Sequence, residues 1–186
     1  MARGEQRLAL ETAMKTFTAL GLTALLVLPA GMVAAAPAPT DPPIAHIAYT
    51  AGQIDIAAGQ LAVRRAKNPA VKAFAQEMVR DHAAVNDQAL ALVKKLGVTP
   101  QDNPTSQSLQ KAAAAKQTEL SRLAGDAFDR AYVANEVAYH QTVNGALSTT
   151  LIPNAQNGEL KGLLQTGLKL FSEHQAHAEH LASQLK

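Results

Sequence analysis

The chain has 186 residues, a net charge of +2 and no cysteine, and aromatic residues make up only 4% of it. This length suffices for one domain with a sizeable core, and the missing thiols exclude disulfides, thiol catalysis and cysteine-ligated metals. The near-neutral charge and the few aromatic rings argue against nucleic-acid binding.

The first 35 residues have the features of a cleaved secretory signal. Lys15 precedes an apolar run over residues 17–28, and residues 33–35 offer the small side chains of a cleavage site. The run is too short for a convincing membrane span. We therefore expect a periplasmic or otherwise exported protein with at most peripheral membrane association. Met14 is an alternative start that leaves residues 1–13 untranslated, and a retained N-terminal anchor is the alternative to cleavage.

Residues 36–43 are rich in proline and alanine and predict a short extended linker, since proline restricts its own backbone and that of the preceding residue. A helical domain is expected over residues 44–186. Apolar residues at three- and four-residue intervals predict long helices over 44–67, 69–96, 126–151 and 159–185, with an alanine-rich accessory helix over 106–123. No segment alternates as a strand does, so we expect an all-α four-helix bundle.

Each long predicted helix carries one ionisable residue on its apolar stripe or at its edge; these are Asp55, His82, His140 and His174. The helical rise puts the first two about 20 Å from the turn at Asn68, and the other two about 21 and 24 Å along their helices. The four share one level only if the third long helix begins where the first meets the second. Residues 97–125 must then cross the length of the bundle, which is the ferritin-like connectivity.

Converging ionisable residues in a core allow two interpretations. One is a hydrogen-bonded polar layer that fixes the helix register, with further members Asp81, Asp129, Tyr132 and Glu136. The other is a site for a divalent transition metal such as zinc, copper or iron, with the ligands His82, His140, His174 and Asp55. A dinuclear carboxylate centre is disfavoured, because Glu136 precedes His140 by four residues and not by the required three.

A second histidine group lies near the end of the last predicted helix. Glu173, His177 and His180 fall within an arc of about 60° and predict a secondary metal site on the surface. A solvated helix end is the alternative, because histidines near a C-terminus also suit the helix dipole.

Three stretches resemble a bacterial family, domain-of-unknown-function family 4142, which is labelled "predicted outer membrane protein" and grouped with the ferritin-like superfamily. They are "GQIDIAAGQLAVRRAKNPAVKAFAQEMVRDH" (52–82), "LAGDAFDRAYV" (123–133) and "HQAHAEHL" (174–181). His177 and His180 are not part of the family pattern. The resemblance implies an exported helical bundle and no established activity. Its outer-membrane label does not suit a chain without strand alternation.

Two functions remain open from the sequence. The first is a non-enzymatic periplasmic bundle that binds an unidentified protein or small-molecule ligand, with a role in envelope stress. The second is a ferritin-like metal-binding protein that uses the histidine and aspartate residues of the core. An enzyme would need a pocket that reaches the histidines, and no residue pattern indicates catalytic residues.

Overall fold

The computed structural model describes residues 38–185, and the predicted signal over 1–35 lies outside this range. The described part consists of four long helices, one shorter helix, and a short α-helical segment that follows a π-helical turn; it contains no strand. The elements are α1 (Asp41–Arg65), α2 (Pro69–Leu96), α3 (Pro104–Ser121), α4 (Gly125–Ala146), a π-helical turn (Leu147–Leu151), α5 (Ile152–Asn154) and α6 (Gly158–Gln184). The predicted all-α bundle is confirmed. Within residues 38–185, every helix is too short or too polar to cross a bilayer.

The predicted linker is wrong at its C-terminal end, because α1 already begins at Asp41. Pro42 and Pro43 occupy its first turn. A proline is well tolerated there, since the first amide groups of a helix have no partner within the helix and the proline φ is already helical. The rule that proline breaks a helix therefore does not apply at this position.

Side chains and one glycine fix the helix ends where the sequence breaks its apolar periodicity. Asn68 accepts a hydrogen bond from the backbone N–H of Ala70 at 2.8 Å and so caps the start of α2. Gly97 ends α2 with φ of +63°, a conformation that glycine adopts without strain. Asn103 and Ser106 form a reciprocal capping box at the start of α3.

The start of α4 lies against the turn between α1 and α2. Asp129 of α4 accepts hydrogen bonds from the backbone N–H groups of Lys67 and Asn68 at 3.1 and 2.7 Å. Arg65 donates to the carbonyl of Leu123, just before α4, at 3.1 Å. The third long helix therefore begins where the first meets the second, as the crossover requires.

The other end of the bundle holds the start of α1, the end of α2 and the start of α6. Asp41 accepts from the backbone N–H groups of Gln156 and Asn157 at 2.8 and 2.9 Å. Lys95 pairs with Glu159 at 2.6 Å. Since α3 starts near this end and finishes beside Arg65, it spans the length of the bundle. The predicted helical crossover is confirmed.

The apolar core forms two clusters along the bundle axis. The cluster near the α1–α2 turn contains Phe74, Met78, Leu120, Phe128, Tyr132 and Leu181. The cluster at the opposite end contains Ile44, Ile47, Leu147, Leu151, Leu160 and Phe171. Asp55, His82, His140 and His174 are buried between the two clusters, at mid-height of the bundle, and this position shields them from water.

Candidate metal centre

Three imidazoles from three different helices meet in the core. His82 of α2, His140 of α4 and His174 of α6 are each at most 2% exposed. Their ring centroids lie 5.4 to 5.7 Å apart. One nitrogen from each ring lies within 4.8 Å of the others, which is close enough for all three to bind one ion. The structure thus brings together the three histidines that the sequence predicted.

Two buried carboxyl groups lie beside the imidazoles. Asp55 Oδ2 is 3.2 Å from His82 Nε2 and 3.5 Å from His140 Nε2. Glu136 Oε2 is 3.8 Å from His140 Nδ1. Asp55, Glu136 and His140 also offer ligand atoms within 4.8 Å of one another, so they form a second group that shares His140 with the first. Oxygen donors are therefore available on one side of the histidines.

The outer nitrogen of two rings is already held by the protein. His140 Nδ1 lies 3.0 Å from the backbone carbonyl of Glu136, so this nitrogen carries the proton and donates. His174 Nε2 lies 3.1 Å from Asp81 Oδ2 and donates there. Arg80 binds Asp81 in turn at 2.7 Å. These hydrogen bonds leave the lone pairs of His140 Nε2 and His174 Nδ1 available to a metal ion. Metal-binding histidines usually have their other ring nitrogen held in this way.

Within residues 38–185, four imidazole nitrogens at the centre have no hydrogen-bond partner: both nitrogens of His82, Nε2 of His140 and Nδ1 of His174. The carboxyl groups of Asp55 and Glu136 hydrogen-bond to each other. Buried polar groups in folded proteins are nearly always satisfied, because leaving one unpaired costs about 1–3 kcal/mol. So many unpaired atoms in one place indicate a missing partner, and an ion would bind the nitrogen lone pairs and the carboxylates together.

The family of the chain follows from a separate comparison. The sequence model of the family described as a domain of unknown function (DUF4142) matches residues 28–181. The chain belongs to this family. The predicted family is thereby confirmed. The ferritin-like superfamily stays a prediction, and the match lends no support to the outer-membrane label. No curated protein matches the sequence.

The DUF4142 chain is also similar to the crystal structure of a DUF305 protein from Streptomyces coelicolor that is described as secreted. The match covers 76% of this chain and 91% of that chain, with a TM-score of 0.65 and 11% sequence identity. At this identity the likeness concerns the helical fold alone.

Burial keeps the histidines of this DUF4142 chain neutral. It lowers the pKa of His82 to about 3, with a further contribution from the neighbouring His140 and His174. It lowers the pKa of His140 to about 4 and also lowers that of His174, where Asp81 opposes the shift. Neutral imidazole is the form that binds metals, so no proton needs to leave these rings at neutral pH.

Burial acts on the carboxyl groups in the opposite direction. It raises the pKa of Asp55 to about 7. It raises the pKa of Glu136 well above its usual range, and the charge of Asp55 adds to the shift. Without a bound cation, burial therefore favours the protonated form of both groups. A divalent ion would favour the ionised forms and draw both groups toward ligation.

Two of the four residues predicted for the polar layer lie next to the centre and contact it in different ways. Glu136 is fully buried and belongs to a potential ligand group. Asp81 is half-buried at the rim, where it binds His174, and it forms a third potential ligand group with Glu77 and His174. The sequence did not single out Glu77, although its position one helical turn before Asp81 is the signal that could have found it.

The other two predicted layer residues behave differently. Tyr132 is buried with an unpartnered hydroxyl, and its ring stacks on Phe128 at 6.1 Å between centroids. Asp129 was placed wrongly by the prediction. It lies at the turn between α1 and α2, where its carboxylate binds two backbone N–H groups. Asp129 precedes Tyr132 by three residues on α4. It therefore points to the same side of the helix but lies nearly one turn closer to the α1–α2 turn.

The structure does not assemble the predicted surface site. His177 Nδ1 pairs with Glu77 of α2 at 3.0 Å, and its ring meets the edge of Phe74. His180 contacts Gln184 at 2.9 Å. Among residues 38–185, Glu173, His177 and His180 do not form a group close enough for one ion. The expectation failed because a shared helix face does not ensure that side chains converge when a neighbouring helix offers a partner.

Phe171 is a site residue that the sequence analysis did not identify as such. Its ring stacks on the imidazole of His82 with 4.4 Å between centroids and 11° between planes. This contact holds the His82 ring in one orientation. The sequence showed only that Phe171 belongs to the apolar stripe of its helix, which gives no indication of the contact.

Proposed function

We propose that the chain is an exported metal-binding protein that holds one divalent transition-metal ion between His82, His140 and His174. One observation carries this proposal: three neutral, buried imidazoles place nitrogen atoms within 4.8 Å of one another. In two of them the opposite ring nitrogen is already held by a carbonyl or a carboxylate. Imidazole nitrogens with such second partners are the usual ligands of zinc, copper and iron.

Asp55 is the proposed fourth ligand. Its Oδ2 lies near two of the three rings, at 3.2 and 3.5 Å from their Nε2 atoms. The negative charge of ionised Asp55 would offset part of the charge of a divalent ion, because the three imidazole ligands are uncharged. Three nitrogen donors and one oxygen donor suit four-coordinate zinc or a copper or iron ion of similar size.

The alternative of a purely structural polar layer fits less well. A layer that fixes helix register gains stability because its members hydrogen-bond to each other, and incomplete networks are costly. Within residues 38–185, both ring nitrogens of His82 and one ring nitrogen each of His140 and His174 have no hydrogen-bond partner. An ion accounts for these atoms together, whereas a layer of direct hydrogen bonds leaves them unexplained.

Export is part of the proposal. It is supported by the apolar run at residues 17–28 and by the likeness to a protein described as secreted. The periplasm is the proposed compartment. The more general expectation of a binding protein is thereby narrowed to a metal ion. No contact within residues 38–185 indicates a role in envelope stress, so the proposal does not include that role.

Metal uptake by purified protein tests the proposal. Protein stripped with a chelator is dialysed against zinc, cobalt or copper, and the bound ion is counted by elemental analysis. We expect about one ion per chain and a higher melting temperature, since a ligand at 100 times its Kd stabilises the fold by about 2.7 kcal/mol.

Two variants separate the buried centre from the surface histidines. His140→Gln removes one proposed ligand, and His180→Gln changes an exposed histidine outside the centre. The first should lose both the bound ion and the thermal shift, and the second should retain both. Metal-free melting curves show whether each variant folds. The proposal is wrong if the wild type takes up no ion, or if folded His140→Gln binds as well as the wild type.

A further inference from the structure

An elongated cavity of about 210 Å³ adjoins the candidate metal centre. At one end it is lined by Asp55, His82 and His140. Its remaining walls are almost wholly apolar and include Val93, Leu147, Leu151, Leu160 and Leu164. The cavity thus joins the polar centre to the apolar cluster at the other end of the bundle.

Helix geometry gives the length of this space. Its lining extends along α1 from Asp55 to Ala45 and along α4 and the following turn from His140 to Leu151. At the helical rise these spans are about 15 and 16 Å. A cavity of ~150 Å³ that binds benzene gives ~25 Å³ for each non-hydrogen atom, so this cavity holds roughly eight or nine such atoms, which is the size of octan-1-ol.

The cavity also reaches the protein surface. Thr105 at the start of α3 and Thr142 of α4 both line it and are exposed. Leu109 of α3 lines it as well and is half-buried. A ligand could therefore pass between α3 and α4 without separation of the four long helices.

The polar end determines the kind of head group that fits. Both ring nitrogens of His82 lack hydrogen-bond partners within residues 38–185, and the carboxyl group of Asp55 hydrogen-bonds to that of Glu136. None of the residues that line the cavity is a lysine or an arginine. A charged head group would lose its hydration without gaining an opposite charge, whereas a hydroxyl could both donate to an imidazole and accept from a carboxyl group.

We propose that this cavity binds a medium-chain aliphatic molecule with one uncharged, hydrogen-bonding head group, which lies against Asp55 and His82. The chain occupies the apolar part of the cavity and gains the free energy of burial, at about 0.8 kcal/mol for each methylene group. The head group would contact Asp55 and His82, which are also proposed metal ligands, so this inference concerns the metal-free protein and its test does not depend on whether a metal binds.

Titration calorimetry with octan-1-ol tests the inference on chelator-treated protein at pH 6. We expect one molecule bound per chain. Octanoate, which has the same chain length and a charged head group, should bind at least about tenfold more weakly, because its carboxylate is desolvated without a cation. Absence of octan-1-ol binding up to its solubility limit would overturn the inference. Equal binding of octanoate would overturn the assignment of an uncharged head group.

Cavity-filling variants locate the bound molecule. Val143→Phe on α4 and Ala89→Leu on α2 each add atoms to a side chain that lines the cavity. Val137→Phe is the matched control, since Val137 is half-buried on the same helix and packs against the other core cluster. Each filling variant that folds should weaken octan-1-ol binding at least about tenfold, and the control should bind as the wild type does. Unchanged affinity in a folded filling variant would place the molecule elsewhere and refute the proposal.

Discussion

Substitution of Asp55 by asparagine should change how the stability of the metal-free protein depends on pH. Asp55 is 1% exposed, and burial raises its pKa from 3.8 to about 7. Between these values the unfolded chain has lost the proton and the folded chain retains it, so the unfolding free energy falls as pH rises. The shift of about three pKa units corresponds to about 4 kcal/mol as an upper value. Asparagine does not titrate and avoids this loss.

Urea unfolding of both proteins in the presence of a chelator, from pH 4.5 to pH 7.5, measures the effect. The histidines contribute a pH dependence of their own, but they are present in both proteins and largely cancel in the difference. Glu136 does not cancel fully, because the charge of Asp55 raises its pKa in the wild type only. Relative to the wild type, Asp55→Asn should gain stability steadily up to about pH 7 and level off above it. Asp126→Asn is the control, because Asp126 is exposed. A difference for Asp55→Asn that stays constant with pH would refute the argument from burial.

Four further substitutions, one of them a control, test other parts of the structure. Asp129→Ala removes two hydrogen bonds to the backbone of the α1–α2 turn. It should lower the free energy of unfolding in urea by about 3 kcal/mol without loss of metal uptake. Unchanged stability would contradict the role of Asp129 in holding this turn. Gly52→Ala would place a Cβ against the Asn86 amide and should cost about 1–3 kcal/mol, whereas Gly145→Ala meets nothing and should be neutral or stabilising. Asp81→Ala should weaken zinc binding about 10- to 100-fold in calorimetry, and an unchanged Kd would argue against its role in orienting His174.

The crossover and the convergence of the histidines were predictable because both follow from helix length. His82 lies thirteen residues after the start of α2 and His140 fifteen residues after the start of α4, and these two helix starts meet at the α1–α2 turn. Rise per residue is nearly constant, so similar numbers of residues give similar heights. The apolar periodicity then fixes the direction in which each side chain points.

Partner choice was not predictable in the same way. Asp129 and His177 lie on helices whose periodicity is clear, yet each binds a residue far away in the sequence, Asp129 at the α1–α2 turn and His177 at Glu77. Such contacts depend on which helices are neighbours and on side-chain orientation. The cavity was equally hidden, since it is formed by side chains from several helices and has no pattern in any one of them.

Anomalous diffraction from crystals of the zinc-loaded protein locates the bound ion itself. We expect one peak among the three buried imidazoles, about 2.0–2.1 Å from His140 Nε2 and His174 Nδ1. His82 and Asp55 should supply the remaining ligands. A peak at His177 and Glu77 instead, or no peak in the bundle core, would contradict the proposed metal site.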